Sequence, residues 1–331
     1  MACSFPCCIN SILIRGLYYC NCVSVWTIQT NYMKKLRRLL IYTIVLGCVA
    51  IAGHIFYIST LAPTEKYPED NYLLSSFDKK ALIIVAHDDD MATSAGTITQ
   101  LCKTGWEIRE MCFYQQGGLY FKKDSAKNPI RKQSLQQAVL IQGLQGADPI
   151  DFNFRNDMET EKAYMPMPYS DFASNYNLDS LTFLIAAYIE KYKPSVIFTL
   201  DSVMGGYGHP DHVMISQRVI DYCRKHKNDS GFSVKKIYHP VFPPSQSERV
   251  LTKMPVYNEA KKVYRVNGMP TPDVQFTYGE ASKQKKEVMQ AYTTEQNSFK
   301  QITPYYSWYP HWIYFKIFDR DFFKVIDASA L

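Results

Sequence analysis

Beyond Lys79, short apolar runs alternate with longer segments in which apolar residues recur at helical spacing. Strand-like runs lie at 81–86, 108–114, 150–154, 195–200 and 235–239, and helical spacing occurs near 92–104, 130–145, 178–192 and 211–226. Strands separated by helices of this length are typical of βαβ units. The pattern predicts an α/β, Rossmann-like fold, with a mainly parallel sheet and helices on both faces. In such sheets, ligands bind beyond the carboxyl ends of the strands.

The longest apolar run, 39–61, contains no Asp, Glu, Lys or Arg. At about 23 residues it is long enough to cross a bilayer. Four basic residues precede it: Lys34, Lys35, Arg37 and Arg38. The positive-inside rule therefore predicts a single-pass membrane protein whose N-terminus is cytoplasmic and whose remaining chain, after the apolar run, is extracytoplasmic. Two alternatives are a cleaved signal segment, with a small-x-small site at 50–52, and a buried core helix.

These features divide the chain into four parts. We expect an N-terminal extension with a basic flank at 1–38, a transmembrane anchor or signal segment at 39–62, a polar linker at 63–78 and one domain at 79–331. Met33, followed directly by Lys-Lys-Leu-Arg-Arg, also resembles a natural start. A chain of 331 residues with 47% hydrophobic content can bury one sizeable core.

Charge and cysteine usage exclude two classes of protein. The basic flank carries four of the net charges of +6, so the remainder is close to balanced and nucleic-acid binding is not expected. Six of the nine cysteines lie within the first 48 residues, which is not the distribution of a disulfide framework. A cysteine metal cluster around Cys7, Cys8, Cys20 and Cys22 would lack histidines at zinc-finger spacing.

A histidine and three carboxylates, His87 to Asp90, directly follow the first apolar run of the domain. A turn that only reversed the chain would use Gly, Asn or Pro more readily. Because clustered carboxylates repel one another, a cation is expected among them, and a metal ion is the first candidate.

A second polar cluster follows the fourth predicted strand, in the sequence "VIFTLDSVMGGYGHPDH". Pro210 can open the next helix as its first residue. His209 and His212 are three residues apart, so at a helix start they point to a common side. Two such clusters at the ends of two parallel strands favour a metal site.

The two clusters resemble the motifs of the PIG-L/LmbE family of zinc-dependent de-N-acetylases, over residues 80 to about 230. The first family motif, H-P-D-D-E followed by G-G-T-[LI], corresponds to "HDDDM" at 87–91 and "AGTI" at 95–98. The second motif, H-P-D-H, is unaltered at 209–212. The longer string "GGYGHPDH" at 205–212 is close to that of the mycothiol-pathway deacetylases. The resemblance implies hydrolysis of the N-acetyl group of an N-acetylglucosamine-type sugar or glycoconjugate.

The resemblance also implies the roles of individual residues. His87, Asp90 and His212 would bind Zn²⁺, although another divalent transition metal would also suit these ligands, and the fourth position would remain open. Asp89 would act as general base. Three further residues complete the implied catalytic set: Tyr207 as an oxyanion donor, His209 as a second donor or as the acid for the departing amine, and Asp211 as a residue that orients a histidine.

The resemblance also indicates substrate contacts and shows where this chain departs from the family motifs. Arg131 lies where the family has a substrate-binding arginine, but the glutamate expected three residues later is Ser134. Asp157 is a second candidate for the sugar pocket. In the first motif Asp88 replaces a proline and Met91 replaces a glutamate. The sequence "QAYTTEQ" at 290–296 stands where a later family helix carries a histidine near a glutamine, and no role is assigned to it.

Two other functions stay open at this point. Asp88-x-Asp90 could hold a divalent metal in a membrane-anchored glycosyltransferase, although "GHPDH" would then have no explanation. A non-catalytic sugar-binding relative could have kept the metal site while its first motif drifted. The aromatic stretch at 305–323 is expected to be core that closes the last strand against the sheet.

Overall fold

The computed structural model describes residues 11–113, 128–152, 154–156 and 165–331. It divides into two compact units, Met1–Ser59 and Thr60–Leu331. The described part of the first unit is one helix, α1, which spans Ser11–Ser59. Within it, Tyr32–Ser59 is long and apolar enough to cross a membrane, a property that an N-terminal signal sequence shares.

The second unit contains the predicted α/β architecture. Its strands are β1 Lys80–Val85, β2 Glu107–Phe113, β3 Gly146–Ile150, β4 Val196–Phe198, β5 Lys236–Pro240, β6 Val274–Thr277 and β7 Arg320–Asp327. Its helices are α2 Asn71–Ser75, α3 Ala95–Lys103, α4 Asn128–Gln142, α5 Phe172–Asn175, α6 Leu178–Tyr192, α7 Gly205–Gly208, α8 Pro210–His226, α9 Pro244–Val250, α10 Pro255–Val263, α11 Ser282–Ala291, α12 Gln296–Ile302 and α13 His311–Ile317.

In the described chain the strands form one sheet in the order β3-β2-β1-β4-β5-β7-β6. Strands β1 to β5 are parallel, whereas β7 runs antiparallel to both β5 and β6. The mainly parallel, Rossmann-like prediction is therefore confirmed. The chain runs from β1 outward to β3 and then returns to β4 on the other side of β1. The carboxyl ends of β1 and β4 meet at this switch point, where such sheets bind ligands.

Helices cover both faces of the sheet, as the composition of β1 indicates. Alternate residues of β1 point to opposite faces. Leu82 and Ile84 pack with Ile185 of α6 and Val213 of α8 in one apolar cluster. Ile83 and Val85 pack on the other face in a second cluster that contains Ile98 of α3 and Leu135 of α4. Every residue from Leu82 to Val85 is at most 1% exposed.

The third strand lies earlier than its apolar pattern indicated, at Gly146–Ile150 instead of 150–154. Its sequence "GADPI" is poor in strand-forming residues. It nevertheless pairs with β2 from Arg109↔Gly146 to Phe113↔Ile150. Because β3 is at the edge of the sheet, Pro149 is tolerated there, and pairing with β2 overrides local propensity.

The segment expected to be a polar linker, 63–78, makes hydrogen bonds to the rest of the domain. Glu65 accepts hydrogen bonds from Ser245, at 2.9 Å from its backbone nitrogen. Asp70 accepts one from the Tyr238 hydroxyl at 2.8 Å and caps α2 through the Leu73 amide. These carboxylates find donors on the folded domain, so the polar composition of the segment reflects capping and pairing as well as solvation.

The aromatic stretch near the C-terminus is only partly core. Tyr306, Tyr314 and Phe323 are at most 1% exposed, as expected. Trp308 and Trp312 are 68% and 62% exposed, so the core expectation was wrong for these two side chains.

Candidate metal centre and catalytic site

The loop after β1 is a tight turn closed by hydrogen bonds within the loop. The backbone amide of His87 donates to Oδ2 of Asp90 at 2.9 Å, and the amide of Ala92 donates to the carbonyl of Asp89 at 3.0 Å. Met91, at the position of the motif glutamate, is 4% exposed and packs in the apolar cluster beside α3. The turn thus holds the Asp89 and Asp90 side chains at the sheet's carboxyl edge.

The glycine-rich loop after β4 is organised by Asp201, a buried residue. Its carboxylate accepts three backbone hydrogen bonds, from Val203 at 3.0 Å and from Met204 and Gly206 at 2.6 Å each. Gly205 adopts φ +59°, and a Cβ there would lie 2.6 Å from the Cβ of His212. Only glycine fits this close approach in a left-handed conformation.

Helix α8 begins as the sequence predicted. The His209 ring is the N-cap and accepts through Nδ1 from the amide of Asp211 at 3.2 Å, with Pro210 as the first helical residue. The His209 and His212 rings stack with centroids 4.6 Å apart. The two histidines therefore face the same side.

Three proposed ligand atoms converge between the two loops. Nδ1 of His87 lies 3.0 Å from Nε2 of His212 and 3.3 Å from Oδ1 of Asp90, and the last two atoms are 3.0 Å apart. Donor atoms about 2.05 Å from a tetrahedral zinc ion lie about 3.3 Å from one another. The spacing of these atoms therefore fits a tetrahedral metal ion.

The second nitrogen of each histidine fixes its tautomer. Nδ1 of His212 is 2.9 Å from the carbonyl of Gly205, which requires a proton on Nδ1 and leaves a lone pair on Nε2. Nε2 of His87 lies 3.6 Å from Oδ2 of Asp211, so its proton faces that carboxylate and Nδ1 presents a lone pair. With both rings neutral, two lone pairs and one carboxylate face each other, a donor set that needs a cation, either a proton or a metal ion.

Electrostatics at the site agree with this requirement. Burial lowers the pKa of His87, but the carboxylates of Asp90 and Asp211 outweigh it and raise that pKa to about 10. Burial raises the pKa of Asp90, yet His212 and His87 hold it well below its usual range. The site is thus built to attract positive charge. A ligand atom of His209 also lies within 4.8 Å of one on His87 and on His212, beside the closer set.

Asp211 faces the His87 ring, and its own position is fixed by two buried side chains. The Tyr176 hydroxyl donates to Oδ1 of Asp211 at 2.6 Å, and a guanidinium nitrogen of Arg155 is 3.4 Å from the same oxygen. An orienting role for Asp211 was expected from the sequence, which did not indicate which histidine it faces. In the structure, Asp211 faces Nε2 of His87.

Arg131 lies beside the first loop and contacts carboxylates. Its Nη2 donates to Asp88 and, at 3.0 Å, to Asp89, while Nη1 donates to Glu295 at 2.7 Å. Burial, opposed by Arg131 and reinforced by Asp88, raises the pKa of Asp89 to about 7. Asp157, the other substrate candidate, lies outside the described residues.

A cavity of about 330 Å³ joins the site to an apolar region of the domain. Asp89, Asp90, Tyr207 and His212 line it near the converging ligands. Its other lining residues include the apolar side chains Leu200, Phe242, Leu251, Phe299 and Phe318. Burial raises the pKa of Tyr207, so its hydroxyl stays protonated and can donate a hydrogen bond.

Several residues that build the site were not found from the sequence. Asp201 shapes the glycine-rich loop, and Arg155 and Tyr176 hold Asp211. The Tyr292 hydroxyl donates to the carbonyl of Asp88 at 2.5 Å, and Glu295 binds Arg131. Of these residues, only Tyr292 and Glu295 could have been suspected from the sequence. Both lie in "QAYTTEQ", which stands where a family helix carries functional residues.

Residues 82–223 match the PIG-L family, described as GlcNAc-PI de-N-acetylase. The resemblance drawn from the two motifs is therefore confirmed over this segment. It begins in β1, ends in α8 and includes both loops of the site. No individual curated protein matches the chain significantly.

The chain is also similar to solved structures, though remotely. N,N'-diacetylchitobiose deacetylase from Pyrococcus horikoshii is 16% identical, with 78% of this chain and 90% of that chain covered and a TM-score of 0.46. The A40926 pseudoaglycone deacetylase Dbv21 is 14% identical, covers 77% and 100%, and has a TM-score of 0.47. The 4-carboxy-2-hydroxymuconate hydratase GalB from Pseudomonas putida KT2440 is 16% identical, covers 75% and 96%, and has a TM-score of 0.44. Likenesses this remote do not assign a reaction.

Proposed function

We propose that this protein is a metal-dependent N-deacetylase. It would hydrolyse the N-acetyl group of an N-acetylglucosamine-type sugar or glycoconjugate and release acetate and a free amine. The observation that carries the proposal is the convergence of Nδ1 of His87, Oδ1 of Asp90 and Nε2 of His212, with Asp89 beside them on the same cavity. The match of residues 82–223 to the PIG-L family supports the reaction class.

His87, Asp90 and His212 would hold the metal, for which zinc suits two imidazoles and one carboxylate. A bound zinc ion would polarise the amide carbonyl and make water more acidic. Asp211 contributes by keeping the His87 ring in the tautomer that presents Nδ1, because Oδ2 of Asp211 faces the proton on Nε2.

Asp89 would accept the proton of the attacking water and then deliver it to the departing amine. A pKa of about 7 lets this carboxyl take up and release a proton near neutral pH. His209 is less suited to the acid role. Burial lowers its pKa well below its usual range, with only partial opposition from Asp211, so the ring is neutral.

Tyr207 and His209 would serve as hydrogen-bond donors. Nδ1 of His209 accepts the Asp211 amide, so the ring's proton lies on Nε2 and can be donated. The protonated Tyr207 hydroxyl lies on the cavity wall, where it can donate to the amide oxygen as negative charge develops there.

The two alternative functions receive less support. An Asp-x-Asp metal site needs Asp88 and Asp90 to face one ion, but Asp88 is bound to Arg131 while Asp90 faces His87 and His212. The non-catalytic alternative makes no use of Asp89 beside the ligand set. We further propose that the apolar run at 39–61, most of which lies in the candidate span Tyr32–Ser59, anchors the domain on the extracytoplasmic side of a membrane, because Lys34, Lys35, Arg37 and Arg38 precede this run.

A direct test uses the full-length chain in detergent, loaded with zinc, and a panel of N-acetylglucosamine compounds. Acetate release and free amine would be measured for the wild type, for Asp90→Ala and for the exposed-site control Glu259→Gln. We expect the wild type and the control to be active and Asp90→Ala to lose both zinc and activity. A wild type that retains zinc but releases no acetate from any compound would contradict the proposal.

A further inference from the structure

The guanidinium group of Arg131 joins two parts of the chain that are far apart in sequence. One end binds the carboxylates of Asp88 and Asp89 on the loop after β1, and the other end binds Glu295 at 2.7 Å. The Arg131 side chain is 18% exposed and that of Asp88 only 2%. These contacts are therefore largely shielded from water, where charged hydrogen bonds are strong and geometrically selective.

Glu295 lies on a short segment that is itself firmly held. Tyr292, three residues earlier, donates to the carbonyl of Asp88 at 2.5 Å. Gln296, the next residue, donates to the carbonyls of Met289 at 2.7 Å and of Tyr292 at 3.0 Å, and accepts from the Tyr306 hydroxyl at 2.5 Å. The Glu295 carboxylate is therefore presented to Arg131 from a fixed backbone.

The N–H donors of the guanidinium lie in one rigid plane, so an acceptor bound at one nitrogen also sets the direction in which the other nitrogen donates. Nη1 of Arg131 binds the Glu295 carboxylate, and this contact directs Nη2 at Asp88 and at Oδ1 of Asp89. Without Glu295, the same guanidinium could rotate toward the two aspartates, and the Asp89 carboxylate would lose its fixed orientation. Ser134 cannot substitute for Glu295 in this way, because its hydroxyl donates to the carbonyl of Ile130 at 3.0 Å.

We infer that Glu295 is a positioning residue for Asp89 and acts through Arg131. This inference rests on the proposed function, in which Asp89 is the general base. Glu295 lies outside the segment that matches the family, 82–223, so the C-terminal part of the domain completes the site. Glu295 and Asp88 together hold Arg131, and Asp88 is the residue that stands in place of the motif proline.

The test compares Glu295→Ala, Glu295→Gln, Arg131→Ala and the double variant Arg131→Ala/Glu295→Ala in the zinc-loaded, full-length protein. Glu295→Ala should lower kcat by about 10-fold to 100-fold, part of what a general base contributes, with KM and zinc content unchanged. Glu295→Gln keeps an oxygen that accepts from Nη1, so it should retain kcat within about threefold. In the Arg131→Ala background, Glu295→Ala should change kcat by less than about twofold, because non-additivity marks residues that act as one unit.

Glu287→Ala is the matched control, because Glu287 is a surface glutamate on the adjacent helix α11 that pairs with Lys283. If Arg131→Ala does not fold, Arg131→Lys supplies the background, since a lysine cannot bridge both ends. A rise in KM with kcat intact, loss of zinc in Glu295→Ala, additive effects with Arg131, or unchanged kcat would each overturn the inference. A wild type that is inactive on every compound would instead refute the proposed function.

Discussion

Asp211→Asn offers a test of how His87, one of the three proposed metal ligands, is held. In the structure Asp211 is 1% exposed and lies 3.6 Å from Nε2 of His87, 2.6 Å from the Tyr176 hydroxyl and 3.4 Å from the Arg155 guanidinium. Asparagine keeps the shape but replaces one acceptor oxygen with a donor and removes the charge. At least one of the three neighbouring donors then faces an amide N–H or a weaker acceptor.

The expected magnitudes follow from these contacts. Loss of a residue that orients a ligating histidine weakens metal binding by about 10-fold to 100-fold, which is about 1.4–2.7 kcal/mol. A mismatched buried hydrogen bond lowers the free energy of unfolding of the metal-free protein by about 1–3 kcal/mol. Asp211→Ala should lower the free energy of unfolding by more, about 3–5 kcal/mol in total, because Arg155 would lose its buried carboxylate partner.

The assay is a competition titration with a chromophoric chelator at neutral pH, combined with urea unfolding of the metal-free protein. Asp221→Asn is the matched control, because Asp221 lies on the same helix α8 in an exposed pair with Arg224. We expect the control to keep wild-type zinc affinity. If Asp211→Asn binds zinc as tightly as the control does, Asp211 neither orients His87 nor fixes its tautomer.

Three further outcomes are expected. Asp90→Ala should lose zinc and activity together, whereas Asp89→Asn should keep zinc and lose roughly 100-fold or more in kcat; an active Asp89→Asn variant would exclude Asp89 as the base. Tyr207→Phe should lower kcat by about 10-fold to 1,000-fold with little change in KM, since the hydrogen bond strengthens in the transition state; a rise in KM alone would make Tyr207 a substrate-binding residue. A phosphatase reporter that folds only after export, fused after residue 63, should be active if the domain is extracytoplasmic, and an active cytoplasmic reporter at that point would reverse the topology.

The order of elements in the domain and the two polar clusters could be read from the sequence because both are local. The helix expected at 178–192 is Leu178–Tyr192, since its apolar spacing and its Asn177 cap lie within one stretch of chain. The start of the next helix is also a local feature, because Pro210 favours the first helical position and His209 and His212 are spaced to face one side. The parallel pattern then places the loop at His87 and the glycine-rich loop at one sheet edge, where the structure has them.

Other features depended on partners that no local pattern reveals. From the sequence, Asp88 was only a replaced proline and Arg131 a substrate contact, and only the folded chain pairs Arg131 with Asp88 and with Glu295. Arg131 and Glu295 are 164 positions apart. Similarly, β3 forms despite a sequence poor in strand-forming residues, because it pairs with the neighbouring strand β2. The predicted linker packs on the domain because Asp70 accepts a hydrogen bond from the Tyr238 hydroxyl. Spacing along the chain encodes which face a residue takes, whereas pairing of buried charges depends on which distant segments the packed core brings within hydrogen-bond distance.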